Sequence, residues 1–140
     1  MIGPLNHVGI AVPSIKDALK PYRKIFGIKG KDITRAKALP AQGVRYSFVD
    51  LPSGQIELIE PYGENSPIER FLQKNPKGGQ HHVCFEVEDI HAAKAYVEKK
   101  GATVLGEPRI GAHGTLVIFI HPKDFTGTLI ELMETPKEAH

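Results

Sequence analysis

The sequence predicts an α+β fold built of two tandem βαβββ modules, and a repeated pair of segments carries that prediction. Near its start the chain reads His7-Val8-Gly9-Ile10-Ala11-Val12, and from residue 82 it reads His82-Val83-Cys84-Phe85-Glu86-Val87. Each copy leads to the same tripeptide, Ile56-Glu57-Leu58 and Ile130-Glu131-Leu132, with 50 positions from His7 to Glu57 and 49 from His82 to Glu131. Self-similarity at a fixed spacing marks an internal duplication. Between these anchors each half shows strand, helix and three further strands in the same order. The two modules span roughly residues 5–62 and 80–135 of a single domain covering residues 1–140, joined by a helical linker.

Taken in order, residues 7–12 read as a strand, with Val8, Ile10 and Val12 on one face and His7, Gly9 and Ala11 on the other. Pro13-Ser14 ends it, and Ser14 with Asp17 three positions on marks a helix start. Ile15, Ala18, Leu19, Tyr22, Ile25 and Phe26 form its apolar stripe, Gly27 stops it, and Pro21 is expected to kink or split it. Residues 28–43 hold one strand and a loop around Pro40-Ala41-Gln42-Gly43. Val44 to Leu51 and Gln55 to Glu60 form a hairpin across Pro52-Ser53-Gly54, with Glu57 and Ile59 sharing a face. Ser66, Pro67 and Glu69 are the start signals of a helix over 66–75.

The second half repeats the plan. Strand 82–87 is followed by Asp89 as N-cap, a helix carrying Ile90, Ala93, Tyr96 and Val97, and Gly101 as its stop. Ala102 to Leu105 is expected as a strand and Gly111-Ala112-His113-Gly114 as a mobile loop. Leu116 to Ile120 then pairs, across His121-Pro122-Lys123-Asp124, with the strand carrying Glu131. Lys137 to His140 is expected to fray.

Bulk properties exclude several classes. Hydrophobic residues at 41% and charged residues at 24% are ordinary globular usage, and a net charge of +2 with no run of like charges gives no nucleic-acid signature. No apolar run approaches the ~20 residues that span a bilayer, and the first residues lack the pattern of a signal peptide. The single cysteine, Cys84, fits a reducing compartment. The expectation is a soluble, cytoplasmic protein with a small-molecule partner, no nucleic acid and no membrane.

Two histidines and two glutamates that keep their spacing across a duplication are a candidate metal shell: His7, Glu57, His82 and Glu131. Buried imidazoles and carboxylates need a compensating partner, and this donor set suits cobalt, manganese, nickel or zinc. Without thiolates it is unlike a structural zinc site. A six-coordinate ion would keep two positions open, enough to chelate two substrate oxygens and stabilise charge developing on a carbonyl. His81 points away from His82 and is expected outside the shell. Cys84, on the His82 face about 6.5–7 Å along the strand, is expected to pack rather than ligate. His113 and His121 lie in loops.

These residues carry a resemblance to a known family. The duplicated plan with His7, Glu57, His82 and Glu131 resembles the vicinal oxygen chelate superfamily, the glyoxalase fold, and within it the methylmalonyl-CoA epimerases. The most specific stretches are Ile56-Glu57-Leu58-Ile59-Glu60-Pro61, Gly78-Gly79-Gln80-His81-His82-Val83, and Phe119-Ile120-His121-Pro122-Lys123-Asp124 followed by Gly127-Thr128-Leu129-Ile130-Glu131-Leu132. The resemblance implies a homodimeric isomerase with an acyl-CoA substrate. It would interconvert the R and S forms of methylmalonyl-CoA by proton abstraction and return through a metal-stabilised enolate. It makes Glu131 one acid/base as well as a ligand. The second is altered: epimerases often carry a glutamate after Gln-Gly-Val, and here Gln42-Gly43-Val44-Arg45 is followed by Tyr46. A tyrosine with pKa ~10 is a weak base at neutral pH. Lys123 and His113 are candidate substrate contacts. Lactoylglutathione lyase uses a similar ligand set, and a non-catalytic binding or resistance module shares the fold, so both stand as alternatives.

Overall fold

The computed structural model describes residues 1–137. They form two compact units, one of residues 8–81 and one of residues 1–7 with 82 onward. The boundary falls inside two strands, between His7 and Val8 and between His81 and His82. Of the expected fraying over Lys137 to His140, residues 138–140 lie outside the described residues.

The unit of residues 8–81 holds most of β1 (Leu5–Ala11), helix α1 (Ile15–Lys24), β2 (Lys37–Leu39), β3 (Val44–Leu51), β4 (Gly54–Pro61) and helix α2 (Pro67–Lys74). Its strands lie in the order β2-β3-β4-β1, and β3 and β4 form the hairpin read from the sequence, with Phe48 opposite Glu57 and Tyr46 opposite Ile59. Helix α1 starts where the sequence placed it: Ser14 Oγ accepts from Asp17 N–H at 3.2 Å. It buries Ile15 and Leu19 against Val12, Val49 and Leu58. Pro21 neither splits it nor ends it at once; the helix runs on to Lys24. The apolar stripe is shorter than expected, because Ile25 and Phe26 fall beyond that last turn and are 74% and 69% exposed.

Helix α2 is capped by Ser66, whose Oγ accepts from Ile68 N–H and donates to Gly43 O at 2.6 Å. It buries Ile68 with Ala11, Val44 and Ile59, and so belongs to this unit. Gly78, at φ +93°, lets the chain pass close to β1: a Cβ there would stand 2.5 Å from Ala11 O.

The second unit holds Leu5–His7 of β1, most of β5 (Gly79–Val87), helix α3 (Ile90–Lys99), β6 (Arg109–Ile110), β7 (Leu116–Ile120) and β8 (Leu129–Glu134). Strand order is β5-β8-β7-β6, with β5 and β8 parallel and Cys84 level with Glu131. Asp89 caps α3 by accepting from His91 and Ala92 N–H. Ile90, Ala93, Ile118, Ile120, Ile130 and Leu132 make the core beneath it. The expected strand over 102–105 is reduced to an isolated bridge, Val104 to Ile120, and the edge strand is instead Arg109–Ile110. An edge of two residues is set by its partner strand rather than by local propensity. The chain start is tied to β5 by Gly3 N–H to Glu86 O (2.8 Å) and Glu86 N–H to Pro4 O (2.9 Å). Among the described residues no helix is long and apolar enough to cross a membrane.

The duplication has a structural use that the sequence reading missed. Three residues after each repeated glutamate stands another, Glu60 and Glu134. Glu60 Oε1 accepts from Ile15 N–H at 2.7 Å, and Glu134 Oε2 accepts from Ile90 N–H at 2.9 Å. In each unit the last strand thus satisfies the first orphan amide of the module's helix, where negative charge also favours the helix dipole. Glu60→Ala and Glu134→Ala should each cost about 1 kcal/mol, read as a lower urea midpoint at unchanged slope. An unshifted midpoint in both would show that these contacts do not anchor the helices.

Candidate metal centre

Three of the four candidate ligands lie in the unit of residues 1–7 and 82 onward. His7 is on β1, His82 on β5 and Glu131 on β8, and they are 2%, 5% and 7% exposed. His7 and Gly9 are buried along β1 while Val8 and Ile10 are only half-buried, so the histidine face is the inner one. In the parallel β5–β8 pair Glu131 sits level with Cys84, two residues along from His82 on the same face.

The three side chains meet at a point. His7 Nε2 is 3.2 Å from His82 Nε2, and each of these nitrogens is 3.2 Å from Glu131 Oε1. The imidazole planes stand 86° apart with centroids at 5.2 Å, and the edge of Phe119 closes on His82 at 6.3 Å.

This arrangement fits a metal ion on two grounds. Donor atoms sharing one ion at ~2.0–2.1 Å stand about 2.8–3.4 Å apart, from right-angled to tetrahedral disposition. The observed equal-sided triangle falls inside that range. The donor chemistry agrees. Asn6 Oδ1 lies 2.7 Å from His7 Nδ1, so a proton on Nδ1 fits this contact and leaves Nε2 to hold either a proton or a metal ion. In a buried place Nε2 and the carboxylate oxygen beside it require positive charge between them, from a proton or a cation. A divalent cation supplies it to all three donors at once.

Electrostatics hold Glu131 ready. Burial works to raise its pKa, but the hydrogen bonds from His7 and His82, with their charge, outweigh it and hold the carboxyl well below the usual carboxylate range.

The remaining sequence candidates divide. Glu57 lies on β4 in the other unit, 6% exposed. Tyr46 is half-buried on β3, diagonal to Glu57 on the same face, with its ring 5.6 Å from Phe48. His113 comes to the histidine cluster: its ring is 5.6 Å from that of His7 and its Nε2 is 3.1 Å from Asn6 Oδ1. Lys123 is exposed on a short turn, Pro122–Asp124. His121 has a structural part there, its Nδ1 accepting from Lys123 N–H at 3.0 Å. His81 packs on Phe71 at 5.3 Å in the other unit, and Cys84, fully buried, packs with Val117, Met133 and Phe119. Asn6 and Glu86 were missed, since nothing in a single polar residue before a strand histidine marks it as a partner.

Residues 6–119 match the family model described as the Glyoxalase/Bleomycin resistance protein/Dioxygenase superfamily. The ethylmalonyl-CoA/methylmalonyl-CoA epimerase of Cereibacter sphaeroides is 52% identical over 134 residues, covering 94% of this chain and 98% of that protein. The mitochondrial methylmalonyl-CoA epimerase of Homo sapiens is 48% identical over 132 residues, 94% of this chain and 73% of that one. Among solved structures, a variant of Streptomyces coelicolor methylmalonyl-CoA epimerase in complex with 2-nitronate-propionyl-CoA superposes with a TM-score of 0.86 at 32% identity, over 98% of this chain and 100% of the other. The chain therefore has the α+β glyoxalase-like fold of that superfamily. Within it, the chain belongs to the methylmalonyl-CoA epimerase family, which are isomerases.

The charge state of Glu131 has a measurable consequence in the metal-free protein. Glutamate in an unfolded chain titrates near ~4.3. With a native pKa held below that, ionised Glu131 contributes stability above this pH, and the contribution is lost as pH falls from there toward the native value. Acid titration of the metal-free chain should show stability falling below about pH 4, with a shallower fall in Glu131→Gln. Parallel profiles for the two would contradict the assignment.

Proposed function

We propose that the chain interconverts the R and S forms of methylmalonyl-CoA by removing and returning the proton on the carbon between carboxylate and thioester. The observation that carries this reading is the triangle of His7 Nε2, His82 Nε2 and Glu131 Oε1, a prebuilt cation site in a chain 52% identical to an epimerase. The lyase and resistance-module alternatives have no comparable support.

In this proposal Glu57 is the fourth ligand. It is the repeat counterpart of Glu131, and all four residues are buried. A divalent ion bound by these residues, cobalt, manganese, nickel or zinc, supplies Lewis acidity toward a carbonyl oxygen. The ionised Glu131 carboxylate can accept a proton.

Epimerisation needs proton transfer on two faces of the carbon. We assign one face to Glu131, supported by its ionised state at the cluster. We assign the other to Tyr46, supported by its place beside Glu57 on the same sheet face. His113, set beside His7, and the exposed Lys123 are assigned to substrate carboxylate and coenzyme A phosphates. The proposal keeps a homodimer, supported by the exposed apolar side chains Ile25 and Phe26, and a cytoplasmic setting, supported by the lone buried Cys84.

The test is proton NMR in deuterium oxide with the cobalt-loaded chain and methylmalonyl-CoA. Metal-dependent loss of the α-proton signal is expected; no exchange by a chain shown to hold cobalt would sink the epimerase reading. Tyr46→Phe should lower epimerisation by at least ~10²-fold while exchange from one epimer persists. Undiminished epimerisation removes Tyr46 from the mechanism. Glu57→Ala should lower metal content without unfolding the chain, and full occupancy in that variant would exclude Glu57 as a ligand.

A further inference from the structure

We propose that Asn6 is the positioning residue of this centre, selecting the His7 tautomer and anchoring His113 through one carbonyl oxygen. The inference rests on the metal-centre reading above and extends it to residues outside the ligand set.

The hydrogen-bond directions follow from the chemistry of the groups. Asn6 Nδ2 donates to Glu86 Oε2 at 3.0 Å. An ionised carboxylate only accepts, so the amide nitrogen must face Glu86 and the amide oxygen must face the other way. That oxygen lies 2.7 Å from His7 Nδ1 and 3.1 Å from His113 Nε2. Both ring nitrogens therefore donate to it. A proton on His7 Nδ1 leaves the Nε2 lone pair for the point shared with His82 and Glu131. Were the amide reversed, its NH2 would meet His7 Nδ1 and drive the proton onto Nε2, where it would block ligation. Glu86 is what forbids that reversal.

Backbone structure holds the rest of the arrangement. Gly3 N–H to Glu86 O and Glu86 N–H to Pro4 O fix Glu86 beside the segment carrying Asn6. His113 is delivered by a tight turn closed by Gly111 N–H to Thr115 O and Gly114 N–H to Gly111 O. Gly111 sits so close to Val117 that a Cβ would meet its Cγ1 at 2.7 Å, which fixes where the turn begins. Asn6 thus serves as the hub of a network whose other members are a carboxylate, a ligand and a turn histidine.

Outer partners of this kind typically change metal affinity by about 10- to 100-fold when removed. The experiment uses the full chain, first metal-free and then titrated with cobalt(II). Long-range proton–nitrogen NMR of the metal-free protein at alkaline pH, with the imidazoles neutral, should show His7 as the Nδ1–H tautomer, and Asn6→Leu should shift it toward Nε2–H. The cobalt dissociation constant of Asn6→Leu should rise about 10- to 100-fold, with a changed visible absorption spectrum of the bound ion.

A second set of variants covers the case in which Asn6→Leu does not fold. Asn6→Asp keeps an acceptor for His7 but sets two carboxylates together, and cobalt affinity should fall. Adding Glu86→Gln restores a donor opposite the new carboxylate and should recover most of the loss. An unchanged His7 tautomer and cobalt affinity in Asn6→Leu, or no recovery in the double variant, overturns this inference alone. A wild-type chain that takes up no cobalt overturns the metal-centre reading and this inference with it.

Discussion

Two imidazole nitrogens and a carboxylate oxygen brought to within 3.2 Å of one another, away from water, are a destabilising arrangement unless positive charge, a proton or a metal ion, sits among them. The unit built around β5 and β8 accepts that arrangement and surrounds it with features that make sense only in its light. His7, His82 and Glu131 stand on three strands, two of them, β5 and β8, held in parallel register. Phe119 closes one histidine from the side, and Asn6 fixes the proton on the other. Glu131 stays ionised against its burial because two imidazoles face it. Protons on the histidines can relieve the metal-free state in part, but only by placing imidazolium in a dry interior. A divalent cation does so with all three donors neutral or anionic, as ligation requires.

Much of this was legible from the residue order, and the legible parts share a cause. Helix starts at Ser14, Ser66 and Asp89 are local events in which one side chain meets an amide two or three residues on, so a short window holds all the information. The hairpin over 44–61 is similarly local. His7, Glu57, His82 and Glu131 could be read together as a candidate set because duplication supplies the comparison that a single occurrence lacks, and all four are buried. Where the reading failed, the deciding partner was distant in sequence. The edge strand at Arg109–Ile110 exists because β7 offers it a pairing surface, whereas residues 102–105 reach that strand only through one bridge at Val104. Ile25 and Phe26 continue a helical stripe on paper, but the helix ends at Lys24 and their periodicity is without consequence. Asn6 acts on Glu86, 80 positions away, and on His113, 107 positions away, separations over which no pattern rule operates.

On the function proposed above, Tyr46 is the residue that departs from what the resemblance to epimerases implies. It stands diagonal to Glu57 on the hairpin face. A phenol and a carboxylate differ in charge as well as basicity, so a tyrosine in that role would lower the repulsion of an anionic thioester on binding while weakening the base, and the two effects oppose each other in turnover.

The paired capping glutamates, Glu60 and Glu134, also speak to ancestry. Each half inherited the same device for seating its helix, and both copies still use it, down to the isoleucine amide that donates. The residues flanking the two histidines did not stay alike: Asn6 stands before one, and before the other is His81, set against Phe71. The repeat has therefore kept its helix-seating glutamates together with its histidine and glutamate pairs, and has let the residue before each histidine drift. The halves of this chain are still twins as scaffolds, but only one of them steers its histidine with an amide.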